Sequence, residues 1–264
     1  MTLTLGKTPL SSSGSDHVNY TIDGPRHRIL FDDFPRRVRA RFGGETMFDT
    51  TAGKQLHESN IPPVLYVPVG DVRMDLLTAT DLSTHCPFKG DAAYWTITVG
   101  DRSAENAVWG YPTPVEGAEW LDGYVAFYWE KLDAWFDEDE EVHGHLRDPY
   151  HRVDARRSSR RVVVRNGEEL IASSSRPIVV SETGFPNRYY LPVADVAAER
   201  LVSSTTTTHC PYKGFSTYWS IDGGTTDAAW SYEAPFEAMN QAAGHLCFMG
   251  EGITTEVDGV VVEG

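Results

Sequence analysis

Thr84-His85-Cys86-Pro87-Phe88-Lys89-Gly90, followed by Tyr94-Trp95, recurs as Thr208-His209-Cys210-Pro211-Tyr212-Lys213-Gly214, followed by Tyr218-Trp219. The two copies lie 124 positions apart, and from Thr84 to Trp95 eight of twelve residues are identical in the second copy. The same offset aligns the chain with itself outward from the motif. Pro25, His27 and Arg28 meet Pro149, His151 and Arg152, Arg36-Arg37-Val38 meets Arg160-Arg161-Val162, and Asp71-Val72 meets Asp195-Val196. Beyond the motif the second copy is three residues shorter, so that Trp109, Tyr111 and Pro114 meet Trp230, Tyr232 and Pro235. A repeat this long is a duplicated domain rather than a solenoid, whose period is shorter. Two such domains are expected to pair with pseudo-twofold symmetry.

Strand signals dominate each copy. Arg37 to Phe42 alternates basic and apolar residues, and Gly43-Gly44, or Asn166-Gly167 in the second copy, reads as a hairpin turn. Val64 to Val67 and Ala93 to Val99 are rich in β-branched and aromatic residues, and Tyr124 to Trp129 with Leu132 to Phe136 reads as a further strand pair. One short helix is expected from about Asp71 to Leu77, capped by Asp71, with a twin from Asp195 to Leu201. The fold expected is mainly β: two homologous compact domains, each a small barrel or sandwich with one short helix. The expected divisions are an N-terminal extension at 1–16, a first domain at 17–138, a linker with a lead-in strand at 139–159, and a second domain at 160–264. The acidic run Asp137 to Glu141 in that region reads as a solvated segment.

Composition narrows the function. With 23 basic and 38 acidic residues the net charge is −15, which argues against nucleic acid and against anionic membranes as partners. No run of apolar residues approaches membrane-spanning length, and the polar, Ser-rich N-terminus lacks the pattern of a signal peptide. Cys86, Cys210 and Cys247, an odd number without a Cys-x-x-Cys pair, fit a reduced cytoplasm better than a disulfide framework or structural zinc.

The retained motif is the candidate site. Proline holds the cysteine extended, and Lys-Gly turns the chain into the Tyr94-Trp95 strand. One reading makes Cys86 and Cys210 reactive thiols, activated by Lys89 and Lys213 if the turn brings the ammonium close. His85 and His209 point away from the adjacent cysteine on an extended chain, so a base would come from His27 or His151. The other reading makes cysteine a small buried residue, histidine a turn residue and lysine a solvent-facing one. Trp109 and Tyr111, like Trp230 and Tyr232, share a strand face and form either a pocket wall or core. Arg36, Arg37, Arg160 and Arg161 bind an anion or neutralise nearby carboxylates. His85, Cys86, His209 and Cys210 would chelate a metal only if the two loops met, and His143 and His145 gather no further ligands, so a metal-free site is favoured.

Thr84 to Gly90 with Tyr94-Trp95, Ala107-Val108-Trp109, Tyr111-Pro112 and the stretch from Arg147 to Asp154 resembles the bacterial family catalogued as domain of unknown function 427. The resemblance covers nearly all of the chain beyond residue 20. It implies a compact β-rich domain of the β-tent kind, and its label carries a nucleotidyltransferase tag. This chain has no Gly-Ser directly followed by the paired aspartates such an enzyme would use to hold magnesium. The second copy also departs from the pattern, Phe127-Tyr128-Trp129 becoming Phe248-Met249-Gly250, which makes the first copy the better candidate for full function. The expectation is a cytoplasmic protein that binds a small polar or anionic molecule near the motif. The candidate catalytic residues are Cys86, Lys89, Cys210 and Lys213. The expected ligand contacts are His85, Trp109, Tyr111, His151, Arg152, His209, Trp230 and Tyr232. Nucleotidyl transfer and a purely structural or partner-binding role are the alternatives. No cofactor and no oligomeric state is assigned.

Overall fold

The computed structural model describes residues 3–6, 8–12 and 17–262, and the chain divides into two compact units, Met1–Tyr150 and His151–Gly264. In the first unit an antiparallel seven-stranded sheet runs in the order Ile29–Asp33, Lys54–Glu58, Ile61–Pro68, Tyr124–Phe127, Arg102–Gly110, Gly90–Val99, Leu77–Cys86. A smaller sheet runs Glu140–Val142, Ala134–Asp137, Val38–Phe42, Glu45–Thr50. Neither sheet closes on itself, so among the described residues the barrel alternative is not realised.

Side-chain alternation along the strands gives the large sheet two apolar faces. Leu65, Val67, Val108, Val125 and Phe127 join Val38, Ala40, Phe48 and Trp135 of the small sheet in one core. Tyr66, Tyr94 and Ala126, each a neighbour in sequence of one of those or of Trp95, turn to the other face. There they meet Leu56, Tyr111 and Leu121 in a second, aromatic-rich core, and the Cys86 end of the motif packs against it.

The second unit repeats this plan. Its small sheet, Glu169–Ser174, Val162–Asn166, Ile253–Val257, Val260–Val262, has the same order. Its large sheet is split into Val153–Arg157, Ile178–Glu182, Arg188–Tyr190 and Leu201–Cys210, Gly214–Ile221, Ala229–Ser231, Cys247–Phe248. A two-way backbone bridge between Leu191 and Leu246, at 2.8 and 2.9 Å, spans the gap where the first unit pairs Ile61–Pro68 with Tyr124–Phe127.

Local expectations fare unevenly. Gly43 and Gly44 both take positive φ in the hairpin turn after Val38–Phe42, as the turn type demands. The helix expected from Asp71 is instead two 3₁₀ turns, Val69–Asp71 and Met74–Leu76, mirrored by Val193–Asp195 and Ala198–Arg200. Asp71 caps neither: its carboxylate accepts a hydrogen bond from Thr50 Oγ1 at 2.6 Å, as Asp195 does from Ser174 Oγ at 2.7 Å. Tyr124–Phe127 and Ala134–Asp137 do not pair with each other. The 3₁₀ turn Trp129–Lys131 carries the chain between them from the large sheet to the small one. The acidic run folds as a hairpin, Asp137 opposite Glu140, with Asp137 on Arg36 and Asp139 on Arg39. Arg37 pairs with Asp49 and Arg160 with Asp258, so these arginines neutralise carboxylates.

The 139–159 stretch is shared between the units. Tyr150 donates its hydroxyl to Asp32 in the first, and Val153–Arg157 opens the second. Of the expected N-terminal extension, residues 1, 2, 7 and 13–16 lie outside the described residues. Elsewhere in it, Thr4 and Leu10 offer their carbonyls to Asn60 N and Ser59 Oγ, each at 2.9 Å.

Candidate functional site

The motif is a strand end and tight turn. Cys86 pairs with Gly90 across it, and Cys210 with Gly214. Gly90 has φ +107°, and a Cβ there would meet Thr113 O at 3.0 Å. Gly214 has φ +109°. Both glycines are retained because an L side chain would be strained at that φ. Val115 N then hydrogen-bonds to Lys89 O, and Phe236 N to Lys213 O, each at 3.2 Å, which pins the turn to the next segment.

The lysine does not face solvent. Lys89 is 9 % exposed and donates from Nζ to Glu58 Oε2 at 2.5 Å. Its ammonium also stands 5.6 Å from the centre of the Tyr111 ring, a cation–π contact. The other carboxylate oxygen, Glu58 Oε1, lies 2.7 Å from His27 Nε2. Phe88, the aromatic residue of the motif, stacks on the His27 ring at 4.3 Å and 18°.

The second unit has the same chain of contacts. Lys213 Nζ donates to Glu182 Oε2 at 2.5 Å, His151 Nε2 lies 3.1 Å from Glu182 Oε1, and Tyr212 lies against the His151 ring at 4.1 Å. Each histidine is held to its glutamate by the same backbone clamp. Arg28 N donates to Ser59 Oγ and Arg152 N to Thr183 Oγ1, both at 2.9 Å. The clamp is what the Pro-x-His-Arg lead-in, retained in both copies, serves, because it sets the histidine beside the strand end that carries the acid.

Burial separates the two copies. The His27 side chain is 25 % exposed, whereas that of His151 is 0 % exposed. In the first unit the ring opens into a groove of about 1080 Å³. Its walls include Phe31, Phe88 and Trp120, with Arg28, Asp23 and Glu116 among its polar residues. His27 Nδ1 makes no hydrogen bond among the described residues, so one imidazole edge is fixed by Glu58 and the other is available to a ligand. In the second unit, burial pushes the Glu182 carboxyl up, but the His151 hydrogen bond and the Lys213 ammonium outweigh it and hold the group below its ordinary value.

Other expected site residues fall elsewhere. His85 is exposed and paired with Asp91 at 2.7 Å, on the strand face opposite Cys86. His209 packs on Phe215 at 4.4 Å. Arg152 is ion-paired with Asp154 at 2.7 Å, with its side chain 74 % exposed, away from the Glu182 chain. Cys86 and Cys210 are half-buried against the aromatic cores, and the lysine meant to activate each gives its ammonium to a glutamate. Cys247 is sealed, its thiol pushed up to about 12 by burial.

Trp109 meets Tyr66 edge-on at 6.4 Å, and Trp230 Nε1 donates to Tyr190 Oη at 3.0 Å. Tyr111 and Tyr232 are buried beside them. Burial pushes the phenols of Tyr66, Tyr111, Tyr190 and Tyr232 up, so all four remain protonated. Among the described residues no three His, Cys, Asp or Glu side chains gather as a cation site.

The glutamates are the residues sequence reasoning missed. They stand in a divergent stretch, where Gln55-Leu56-His57 faces Val179-Val180-Ser181. The signal was present in the spacing, because histidine, glutamate and lysine are each separated by 31 residues in both copies.

The family described as Domain of unknown function (DUF427) matches the chain twice, at residues 31–138 and 154–263. Both matches contain the glutamate and the lysine and begin just after the histidine. No curated protein matches the chain.

Proposed function

We propose, from the premise that the chain belongs to the family described as Domain of unknown function (DUF427) and carries its domain in tandem, that it is a small-molecule-binding protein whose working site is the groove of the first unit. The observation that carries this reading is the His27–Glu58–Lys89 chain, which is repeated in the second unit but opens to a groove through His27. The ligand lays an apolar part on Phe88, Phe31 and Trp120 and presents a polar or anionic group to His27 Nδ1. Glu58 and Lys89 neutralise each other, so the imidazole meets the ligand without a net charge behind it. An imidazole fixed at one nitrogen by a carboxylate is also the arrangement that exchanges a proton at the other. Proton transfer with the bound molecule is therefore the chemical step this site favours. The second unit, with His151 sealed, serves as a structural copy. The three cysteines, all free thiols, fit the reducing cytoplasm as its setting, and no helix among the described residues is long and apolar enough to cross a membrane.

Titration with benzoate and phenyl phosphate, followed by NMR of the histidine and phenylalanine rings, tests the reading. Saturable shifts are expected at His27 and Phe88, lost in His27→Ala and kept in His151→Ala. Unmoved His27 resonances with both probes, or undiminished binding in His27→Ala, would overturn it.

A further inference from the structure

A smaller chamber of about 150 Å³ also lies in the first unit, lined by residues of both of its cores. Trp109, Phe127, Tyr128, Trp129 and Trp135 line it, with His145 at the same wall. Trp129 and Trp135 are stacked at 4.4 Å and 8°, and Trp109 lies on Tyr128 at 4.4 Å. Gln55 lines the same chamber, is 2 % exposed, and its Oε1 is buried without a hydrogen-bond partner. A carbonyl oxygen left unpaired in an aromatic wall is costly, and a donor from a bound molecule would satisfy it. Trp135 Nε1 is not that donor, because it is committed to Trp129 O at 3.2 Å.

We propose that this chamber is a second binding site, separate from the His27 groove, which takes one neutral aromatic ring bearing a single O–H or N–H donor, of the phenol class. The volume sets the size, since a cavity of roughly 150 Å³ lined by apolar side chains accepts a benzene ring. Gln55 sets the specificity by accepting the hydrogen bond. Gln55 also sets the choice against an organic cation: aromatic rings alone would attract a quaternary ammonium, but such a cation carries no donor for the buried Gln55 Oε1.

The site belongs to the first unit alone. Val179 takes the sheet position of Gln55, opposite Arg156 as Gln55 is opposite Asp32. Thr255 stands opposite Val164 where Trp135 stands opposite Ala40. Met249 and Gly250 follow Phe248 where Tyr128 and Trp129 follow Phe127. The divergence of the second copy thus removes the acceptor together with the counterparts of Tyr128, Trp129 and Trp135.

Calorimetric and tryptophan-fluorescence titrations of the full chain with phenol, toluene and tetramethylammonium test this. Phenol is expected to bind about tenfold or more tighter than toluene, as a buried acceptor would discriminate. Tetramethylammonium is expected not to bind. Gln55→Leu, close in size, should erase the preference for phenol while leaving toluene bound. Equal affinity for phenol and toluene in the unaltered protein would overturn the proposal, whatever the fate of the variant. So would tighter binding of tetramethylammonium, or no binding of either ring.

Discussion

Replacing Glu58 with alanine is expected to destabilise the protein by about 3–5 kcal/mol, the cost of leaving a buried ammonium without its counter-charge. Glu58 and Lys89 have side chains only 8 % and 11 % exposed, so water does little to screen the loss. The same account expects the double variant Glu58→Leu with Lys89→Met to recover most of that stability. An apolar pair of similar volume replaces a buried ion pair at little cost, whereas half of one does not. Urea unfolding followed by tryptophan fluorescence reads both. A small loss in Glu58→Ala, or additive losses in the double variant, would show that the two side chains do not depend on each other. In the second unit the pair carries a pH signature. The Glu182 carboxyl is held below its ordinary value in the fold, so it takes up a proton more readily once unfolded. Its contribution is therefore present above about pH 4.5, its unfolded value, and is lost as the pH falls through the folded one.

The second large effect is expected at Phe48. It is 1 % exposed and sits between the two sheets, 5.0 Å from the Phe127 ring and 5.4 Å from that of Trp135. Phe48→Ala should cost about 3–5 kcal/mol, because the rings around it cannot collapse into the space. The corresponding residue of the second unit is Ala172, which makes the same isolated bridge, to Val196, that Phe48 makes to Val72. The loss should therefore be local. Hydrogen exchange should quicken in Val38–Phe42 and Ala134–Asp137 while Val162–Asn166 keeps its protection. Equal loosening in both units, or a loss under about 1 kcal/mol, would contradict a core held between the sheets of the first unit.

The duplication made the strand content and the two-domain plan legible, because alternating residues and glycine turns report on neighbours in sequence. Gly43-Gly44 and Gly90 could be read that way. What could not be read was the partition of strands between sheets: Tyr124–Phe127 and Ala134–Asp137 are adjacent in the chain yet lie in different sheets. Pairing of that kind is decided by contacts far apart in sequence.

The site divides along the same line. The retained motif pointed to the turn that carries Lys89, and the repeat alone offered His27 as a partner for it. The lysine was legible only as an activator of the neighbouring cysteine, because its partner Glu58 lies 31 residues upstream on another strand. Glu58 and Glu182 were hidden because an isolated identity in a divergent stretch has no local pattern. Trp109 could be read as either a pocket wall or core, but Gln55 carried no signal, since its counterpart Val179 breaks the repeat.

The central claim is that one copy of the His-Glu-Lys chain opens to a ligand and the other is sealed. Carbethoxylation of individual histidines with diethyl pyrocarbonate, quantified by peptide mass spectrometry with and without saturating benzoate, tests it most directly. His27 should be modified readily and be protected by benzoate. His85, exposed on the far side of its strand, should be modified at the same rate in both conditions. His151 should resist until the protein unfolds. Modification of His151 as fast as His27, or a His27 rate that benzoate leaves unchanged, would contradict the account.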